Sequence, residues 1–327
     1  MKAVIINQYG SPEVLEYADV AMPKIGPEQL LVKVHATSVN PVDWKIRQGD
    51  LQLLSGFGFP KILGSDVSGV VVEVGADATQ FQPGDEVYTF LNPLTGGAYA
   101  EYVAIPASTV AHKPSTVTHE EAAGVPLAGL TALQALLDLG QMRSGQRVLI
   151  NGASGGVGSF AVQIARAMET EVTGVCSTAN LDVVRSWGAD VVLDYTQVDF
   201  TQQGTQYDII FDAVGKQTFY NCEKVLQPDG IYVSTLPSLD NIGASVQSLF
   251  LPGKKAKLIL AQPGRRDLEA MRDWIEAGKV RSHVHRSYSL SDVAEAHAES
   301  ETGHVVGKIV MTPSPGVAPT PTDIPIS

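Results

Sequence analysis

Short apolar runs separated by glycine, proline and aspartate turns fill the first third of the chain. Within each run, apolar and β-branched residues alternate with polar ones over a few positions, as is typical of β-strands. Up to about Thr118 the pattern predicts an all-β, barrel-like region. The runs are KAVII, QLLVKVHAT, VSGVVVEVG, GDEVYTF and AYAEYVAIP.

From about Glu120, apolar runs alternate with helical segments. PLAGLTALQALLDLG, residues 126–140, predicts an amphipathic helix that ends at a glycine. The alternation of strand and helix that follows argues for an α/β domain with a parallel sheet covered on both faces. The predicted strands are Arg147–Asn151, Glu171–Cys176, Val191–Leu193, Asp208–Asp212 and Gly230–Thr235, and the predicted helices are Gly156–Met168 and Leu181–Trp187.

Two further helices and one strand are predicted after about Gly264. The helices are DLEAMRDWIEAG and SDVAEAHAES, and the strand is GKIVM. The last residues, 313–327, are rich in proline, threonine and serine, and this composition predicts a mobile tail.

A glycine cluster stands between the strand RVLIN and the helix that starts with GGVGSFAVQIAR. A dinucleotide loop requires this order, because the missing side chains let the backbone approach a pyrophosphate and the helix N-terminus supplies N–H groups. Tight turns also use glycine for steric reasons alone, but the strand, glycines, helix and following βαβ pattern together favour a cofactor site. The predicted cofactor-binding positions here are Gly152, Ser154, Gly155, Gly156, Val157 and Gly158.

The end of the next strand bears on which dinucleotide binds. An NAD site usually places Asp or Glu about 20 residues beyond the glycines. Here the strand ends VTGVCSTANLD, which offers Cys176, Ser177, Thr178 and Asn180. A small polar tip without a carboxylate does not repel a 2′-phosphate, so NADPH is the predicted cofactor. Ser177 and Asn180 could also serve as ordinary helix N-caps.

Composition and charge argue against several classes of function. The 327 residues carry a formal charge of −12, from 23 Lys and Arg against 35 Asp and Glu, so no basic field is available for nucleic acid or anionic lipid. No apolar run approaches the roughly 20 residues of a membrane span. With only Cys176 and Cys222, and no signal-peptide pattern in MKAVIINQYG, a cytoplasmic setting is expected.

The order of these parts resembles the medium-chain dehydrogenase/reductase superfamily. The resemblance rests on GSDVSGVVVEVG, FQPGDEVY, GLTAL, NGASGGVG and GHVVGKIVM, and NPVDWKIRQGD and LPGKKAKLIL are most similar to the zinc-independent quinone and alkenal oxidoreductases. It implies a Rossmann NADPH-binding domain inserted into a mostly β, barrel-like (GroES-like) domain. The expected boundaries are 1–122 for the first part of the catalytic domain, 123–264 for the Rossmann domain, 265–312 for the return and 313–327 for the tail.

The zinc ligands of the alcohol dehydrogenases in that superfamily are absent from the matching positions. Val39-Asn40-Pro41 stands where an early Cys would be, Gly64-Ser65-Asp66 stands for Gly-His-Glu, and no Cys precedes residue 176. Three protein ligands for zinc cannot be assembled from these residues. His283 and His285 are two apart, as on one face of a strand, and we expect them to be solvated surface histidines rather than a metal pair.

By resemblance, several positions line a cleft between the two domains. Asn40, Asp43 and Lys45 would form the catalytic, substrate-facing edge, with Lys45 also near the cofactor. Lys45 could instead be a solvated lysine, Tyr195 a half-buried strand end and Asp43 a turn carboxylate. The remaining implied cofactor contacts are Thr131 for the nicotinamide amide, Ser177, Asn180 and Tyr195 for the adenosine phosphate, and Leu236 and Lys308 closing over the cofactor.

These positions predict an NADPH-dependent, zinc-independent reductase of quinones or of the C=C bond of α,β-unsaturated carbonyls. Such acceptors need little Lewis-acid help, because charge spreads onto a conjugated oxygen. The proton donor is left open: related enzymes carry tyrosines at the positions of Lys45 and Leu51, and Tyr88 and Tyr99 are only reserve candidates. The alternatives are a non-catalytic NADPH-binding protein and an enoyl thioester reductase, for which GKKAK would guide the carrier. A homodimer is implied by resemblance.

Overall fold

The computed structural model describes residues 1–313, so the predicted tail lies outside the described residues except for its first position. The first half contains short helices and many strands. The helices are α1 (Pro41–Gln48), α2 (Gln52–Ser55) and α3 (His119–Ala123). The strands are β1 (Lys2–Ile6), β2 (Glu16–Asp19), β3 (Gln29–Ser38), β4 (Lys61–Ile62), β5 (Asp66–Val74), β6 (Glu86–Phe90), β7 (Tyr102–Pro106) and β8 (Ala111–His112).

The middle of the chain alternates helix and strand, as predicted, and the last part adds two helices and two strands. The helices are α4 (Pro126–Leu133), α5 (Gly156–Ala167), α6 (Leu181–Ser186), α7 (Phe219–Cys222), α8 (Leu239–Phe250), α9 (Arg265–Glu276) and α10 (Val293–Glu301). The strands are β9 (Arg147–Asn151), β10 (Glu171–Cys176), β11 (Val191–Asp194), β12 (Tyr207–Asp212), β13 (Leu226–Ser234), β14 (Lys255–Leu258), β15 (Val284–Ser289) and β16 (Lys308–Thr312).

Strands β9–β14 form one parallel six-stranded sheet in the order β11-β10-β9-β12-β13-β14. This order reverses between β9 and β12, and ligands of such sheets bind outside the carboxyl ends of the strands at that reversal. The glycine cluster follows β9, so it lies at this edge. The predicted α/β fold with a doubly wound parallel sheet is confirmed.

The end of the chain returns to the first half. β16 pairs antiparallel with β3, placing Val310 opposite Ser38, and β15 pairs with β16. The resulting seven-stranded sheet has the order β15-β16-β3-β5-β6-β8, with β7 beside β3. The residue boundaries expected for the domains, at 122 and 264, stay predictions.

The segment 126–140 differs from the amphipathic helix that its sequence predicts. α4 ends at Leu133, and the chain continues as a π-helical turn over Gln134–Leu139. Leu130 and Leu136 are wholly buried, as are most of their neighbours. The segment contacts α5, α9 and β6, so it is enclosed on several sides and has no wide solvent face.

No helix within residues 1–313 is long and apolar enough to cross a membrane.

Candidate functional site

The glycine turn after β9 is packed too tightly for side chains. Gly152 has φ +81°, a conformation that residues with a Cβ rarely adopt. A Cβ added at Gly158 would lie 2.1 Å from the carbonyl oxygen of Gly152 and 2.8 Å from Cα of Ala153. The first turn of α5 therefore lies directly against the turn that precedes it.

The N-terminus of α5 carries backbone donors without helical acceptors. The first helical hydrogen bond runs from the N–H of Ser159 to the carbonyl of Gly155 at 2.8 Å, so the N–H groups of Gly156, Val157 and Gly158 lie in the unpaired first turn. A Cβ at Gly155 would meet only one atom, at 3.6 Å, which leaves its outer side open. Bare donors beside an open, side-chain-free surface fit the pyrophosphate of a dinucleotide.

The end of β10 is connected to this loop. Asn180 Nδ2 lies 3.0 Å from Ser154 Oγ, and the N–H of Tyr195 donates to the carbonyl of Cys176 at 3.1 Å. Neither Ser177 nor Asn180 caps a helix with its side chain, so the N-cap alternative does not hold for them. Tyr195 is exposed rather than a half-buried strand end. Their contact with the adenosine end of a cofactor stays a prediction.

A carboxylate that sequence reasoning missed stands beside this tip. Asp194 ends β11 directly opposite Cys176, and its Oδ2 accepts a 2.5 Å hydrogen bond from Thr178 Oγ1. Its Oδ1 accepts the N–H and hydroxyl of Thr196. The Thr178 hydrogen bond, followed by those of Thr196, lowers the pKa of Asp194, so the carboxylate is held ionised. Its only sequence signal was an acidic residue at the end of the neighbouring strand.

Asp66 forms the centre of a buried polar cluster in the first half. Its Oδ2 accepts hydrogen bonds from Ser38 Oγ and, at 2.8 Å, from Asn40 Nδ2. Its Oδ1 accepts the backbone N–H of Leu127 at 2.7 Å. The ammonium of Lys308 lies 3.6 Å from Oδ2, and both members of this pair are buried. A buried charge pair of this kind requires such additional hydrogen bonds to offset desolvation.

Lys308 links the glycine turn to this cluster. The N–H of Gly307 donates to the carbonyl of Ser154 at 2.9 Å, and a Cβ at Gly156 would come within 2.8 Å of Lys308 Cδ. The ammonium donates to Asn40 Oδ1 at 2.6 Å and to the backbone carbonyl of Val39 at 3.1 Å. Burial lowers the pKa of Lys308, while the Asp66 charge opposes this shift.

This donor set does not fit a zinc ion. The groups around Asp66 are a hydroxyl, an amide, a backbone N–H and the ammonium of Lys308, which would repel a metal cation. Within residues 1–313, no group of three or more His, Cys, Asp or Glu side chains could hold a metal ion.

The two C-terminal histidines lie in different environments. His283 is half-buried and packs edge-to-face on Trp187 with ring centroids 5.4 Å apart, because the returning segment covers that ring. The expectation of a solvated histidine is wrong for His283. His285 is exposed, 3.4 Å from Glu299.

Asp43 lies next to the polar cluster around Asp66, and three hydrogen-bond donors surround its carboxylate. Its carboxylate accepts the N–H of Asn40 at 2.8 Å and the hydroxyls of Tyr99 and Ser65 at 3.1 Å each. The bond to Asn40 closes the first turn of α1, which matches the turn-carboxylate alternative. Contact with a substrate would require breaking these bonds. The catalytic assignments of Asn40 and Asp43 stay predictions.

A chain of oriented hydrogen bonds leads from Asp43 toward the surface. Arg47 can only donate, so Nδ1 of His297, 3.4 Å away, is the acceptor and Nε2 carries the hydrogen. His297 then donates to Tyr99, 3.1 Å away, and Tyr99 donates to Asp43. Burial lowers the pKa of His297 to about 3, which keeps the ring neutral. Arg47 ends the chain in an ion pair with Glu301.

The free energy of unfolding should depend on pH through Asp43. Burial raises the pKa of Asp43 to about 7, and the nearby Asp66 charge adds to the shift. Because the folded pKa lies above the unfolded value of about 4, the contribution of Asp43 to stability is complete below pH 4 and is lost as pH rises through 7. Relative to Asp43→Asn, wild type should lose up to about 4 kcal/mol between pH 4 and pH 8.

Urea unfolding of both proteins in the same buffers measures this difference and cancels the titration of other groups. Asparagine keeps an acceptor for the N–H of Asn40, so the helix start is retained. A difference in unfolding free energy that stays constant from pH 4 to pH 8 would contradict the raised pKa.

The other predicted contacts lie around the same edge. The hydroxyl of Thr131 donates a hydrogen bond to the carbonyl of Leu127 at 2.6 Å, so toward any other group its oxygen can only accept a hydrogen bond. Leu236 lies against Gly215, next to the carboxyl ends of β12 and β13. Lys45 is half-buried, with its ammonium 5.5 Å from the centroid of the Trp44 ring. Their roles toward a cofactor or substrate stay predictions.

Comparison with known proteins gives a consistent result. Residues 26–115 match the alcohol dehydrogenase GroES-like domain, and residues 187–311 match the zinc-binding dehydrogenase family. The chain is 35% identical to the mitochondrial NAD(P)H oxidoreductase RTN4IP1 of Bos taurus, covering 95% of this chain and 89% of that one. It is 33% identical to the chloroplastic NADPH-dependent alkenal/one oxidoreductase of Arabidopsis thaliana, covering 96% and 80%. The structure of the quinone oxidoreductase from Coxiella burnetii matches with TM-score 0.86 at 33% identity, covering 95% and 99%.

Proposed function

This chain belongs to the medium-chain dehydrogenase/reductase superfamily, within its quinone oxidoreductase branch, and from that premise we propose that it transfers a hydride from NADPH to quinones or to the C=C bond of α,β-unsaturated carbonyls without a metal ion. It is an oxidoreductase that uses a nicotinamide cofactor. One observation carries the proposal. Lys308 extends from the dinucleotide turn at Gly156 to Asn40 and Asp66, so a buried ammonium–carboxylate pair joins the cofactor turn to the polar cluster of the first half.

NADPH is the proposed electron donor because the tip of β10 itself carries small polar residues, Ser177, Thr178 and Asn180, in place of the carboxylate that marks many NAD sites. The Asp194 carboxylate beside this tip belongs to the neighbouring strand β11. Bound at the glycine turn, it supplies the hydride. The turn and the N–H groups of Gly156, Val157 and Gly158 would hold the pyrophosphate.

The acceptor explains why no metal is needed. In a quinone or enone, the negative charge that develops on hydride addition spreads over a conjugated oxygen, so orientation and a few hydrogen-bond donors are sufficient. Lys45, with its ammonium next to Trp44, is the proposed donor at the substrate edge. Asn40 and Asp43 would act by holding Lys308 and the start of α1 in place.

Solvent is the proposed proton source. Both tyrosines considered as acids are wholly buried and engaged: Tyr88 donates to the carbonyl of Leu268 and Tyr99 to Asp43. Burial raises the pKa of each hydroxyl well above the usual value of tyrosine, which disfavours proton release. Water at the mouth of the cleft can protonate an enolate without a protein acid.

The lysines of GKKAK do not favour the enoyl thioester reductase alternative. Lys254 donates to the carbonyl of Glu223, Lys255 to that of Ser248 and Lys257 to that of Leu139. These ammonium groups are bound to backbone at β14, the edge strand of the sheet, rather than presented as a basic entrance for a phosphopantetheine carrier.

The same edge supports the proposed homodimer. The outer side of β14 has no partner strand among residues 1–313, and α8 beside it exposes large apolar side chains, including Leu249 at 77% and Phe250 at 82%. An apolar surface next to an unpaired strand favours association with a second copy. Light scattering at micromolar concentration should give twice the mass of 34.7 kDa, and a monomer mass would refute the dimer.

The test of function is oxidation of NADPH by chelator-treated protein, with 2-alkenals, enones, quinones and saturated aldehydes as separate acceptors and NADH in parallel. We expect turnover of enones or quinones, little or none of saturated aldehydes, and no effect of the chelator. Cofactor binding without turnover of any acceptor would refute the reductase and leave the non-catalytic binding protein.

A further inference from the structure

The tip of the cofactor pocket contains a fixed negative charge supplied by β11. Asp194 lies opposite Cys176, the last residue of β10, and the N–H of Tyr195 bonds to the carbonyl of Cys176. The end of β11 is thereby held against the tip of β10. In doubly wound sheets the adenosine ribose of a dinucleotide lies at the tip of this second strand.

The hydroxyl hydrogen of Thr178 is committed to Asp194. The acceptor is an ionised carboxylate, so this is a charge-assisted hydrogen bond. A threonine hydroxyl has one hydrogen, so the remaining lone pairs of Thr178 can only accept. An acceptor beside a carboxylate matches a ribose hydroxyl, which donates, and opposes a phosphate, which only accepts.

The charge of Asp194 has no ion-pair partner within the described part of the chain. Arg185 is the nearby cation on α6, and its guanidinium is bound to Asp182 at 2.8 Å. Ser177 and Tyr195 have unused hydroxyl groups that could donate to either a ribose hydroxyl or a 2′-phosphate. Discrimination between the two therefore falls on Asp194.

We infer that Asp194 is a specificity residue that weakens binding of the 2′-phosphate and so narrows the preference for NADPH over NADH. This inference rests on the proposed function only in that the glycine turn must bind a dinucleotide. It concerns the adenosine end of the pocket and is independent of the acceptor that is reduced.

The experiment uses two ligands that lack nicotinamide, ADP-ribose and its 2′-phosphorylated form, and measures their dissociation constants by calorimetry on wild type and Asp194→Asn. Asparagine has nearly the same shape and removes the charge, and its single carbonyl oxygen can accept from either Thr178 or the N–H of Thr196. We expect the affinity for the phosphorylated ligand, relative to ADP-ribose, to rise about tenfold in the variant. The NADPH to NADH binding ratio should change in the same direction.

Two control variants separate the effect of Asp194 on the binding ratio from the effect of a change in the net charge of the protein. Thr196→Val removes one hydrogen bond to Asp194 but keeps the carboxylate, and Asp229→Asn removes an exposed charge from β13 at the opposite end of the sheet. Both should leave the ratio within twofold of wild type. A ratio unchanged in Asp194→Asn, or shifted equally in Asp229→Asn, would overturn the role of Asp194 with the proposed function intact. Failure of wild type to bind either ligand would overturn both.

Discussion

Replacing Gly158 by alanine should lower the free energy of unfolding by about 3 kcal/mol or more and weaken NADPH binding at least about 100-fold. The new Cβ would lie 2.1 Å from the carbonyl oxygen of Gly152 and 2.8 Å from Cα of Ala153. Both atoms are backbone, so the strain can be relieved only by moving α5 away from the turn. That movement displaces the first-turn N–H groups that would hold the pyrophosphate.

Gly155→Ala is the matched control. Gly155 has φ −78°, which any residue adopts, and its added Cβ would approach nothing closer than 3.6 Å. We expect its unfolding free energy to stay within about 1 kcal/mol of wild type. Urea unfolding and calorimetric titration with NADPH measure both effects. If Gly158→Ala matched Gly155→Ala in unfolding free energy, the close packing of helix on turn would be wrong.

Replacing Lys308 by methionine should lower the free energy of unfolding by about 3–5 kcal/mol. Methionine preserves the length of the side chain against Gly156 but removes the ammonium, which leaves the Asp66 carboxylate buried without its cation. Asn40 also loses the donor to its Oδ1. An uncompensated buried charge costs far more than a missing surface contact.

The double variant Lys308→Met with Asp66→Asn keeps this prediction testable if the single variant does not fold. It removes both charges and should recover at least half of the lost stability. Lys2→Met is the control, because the Lys2–Asp19 pair is exposed and its loss should leave the urea unfolding midpoint nearly unchanged. The buried pair would be refuted if Lys308→Met unfolded in urea no earlier than Lys2→Met.

The sequence predicted those parts of the site that are local in the chain. The turn at Gly152 could be located from the sequence alone, because it lies between the strand RVLIN and the helix that directly follows the glycines. The alternation of apolar strands and helices likewise predicted the parallel sheet, with β13 beginning at Leu226 rather than Gly230. Local periodicity is sufficient for such features, because each is specified by adjacent residues.

Features that depend on tertiary neighbours could not be predicted in this way. The segment 126–140 has the composition of an amphipathic helix, but it lies between other elements and is buried on several sides. Asp194 reaches Thr178 only because parallel strands align their carboxyl ends. His283 was expected in solvent, and it packs on Trp187 because the returning segment passes over that ring. None of these contacts leaves a periodic signal in the sequence.

The contact between Lys308 and Asn40 has a consequence for biosynthesis. It joins residues 268 positions apart, and β16, which carries Lys308, is the last strand of the described chain. During translation the six-stranded sheet is complete while β15 and β16 are still unsynthesised, so the inserted domain can fold on the ribosome before the outer domain closes. Until β16 is synthesised, the end of β3 at Thr37 and Ser38 lacks its partner strand and the Asp66 carboxylate lacks its cation, so the first half of the chain can reach its final structure only after the inserted segment.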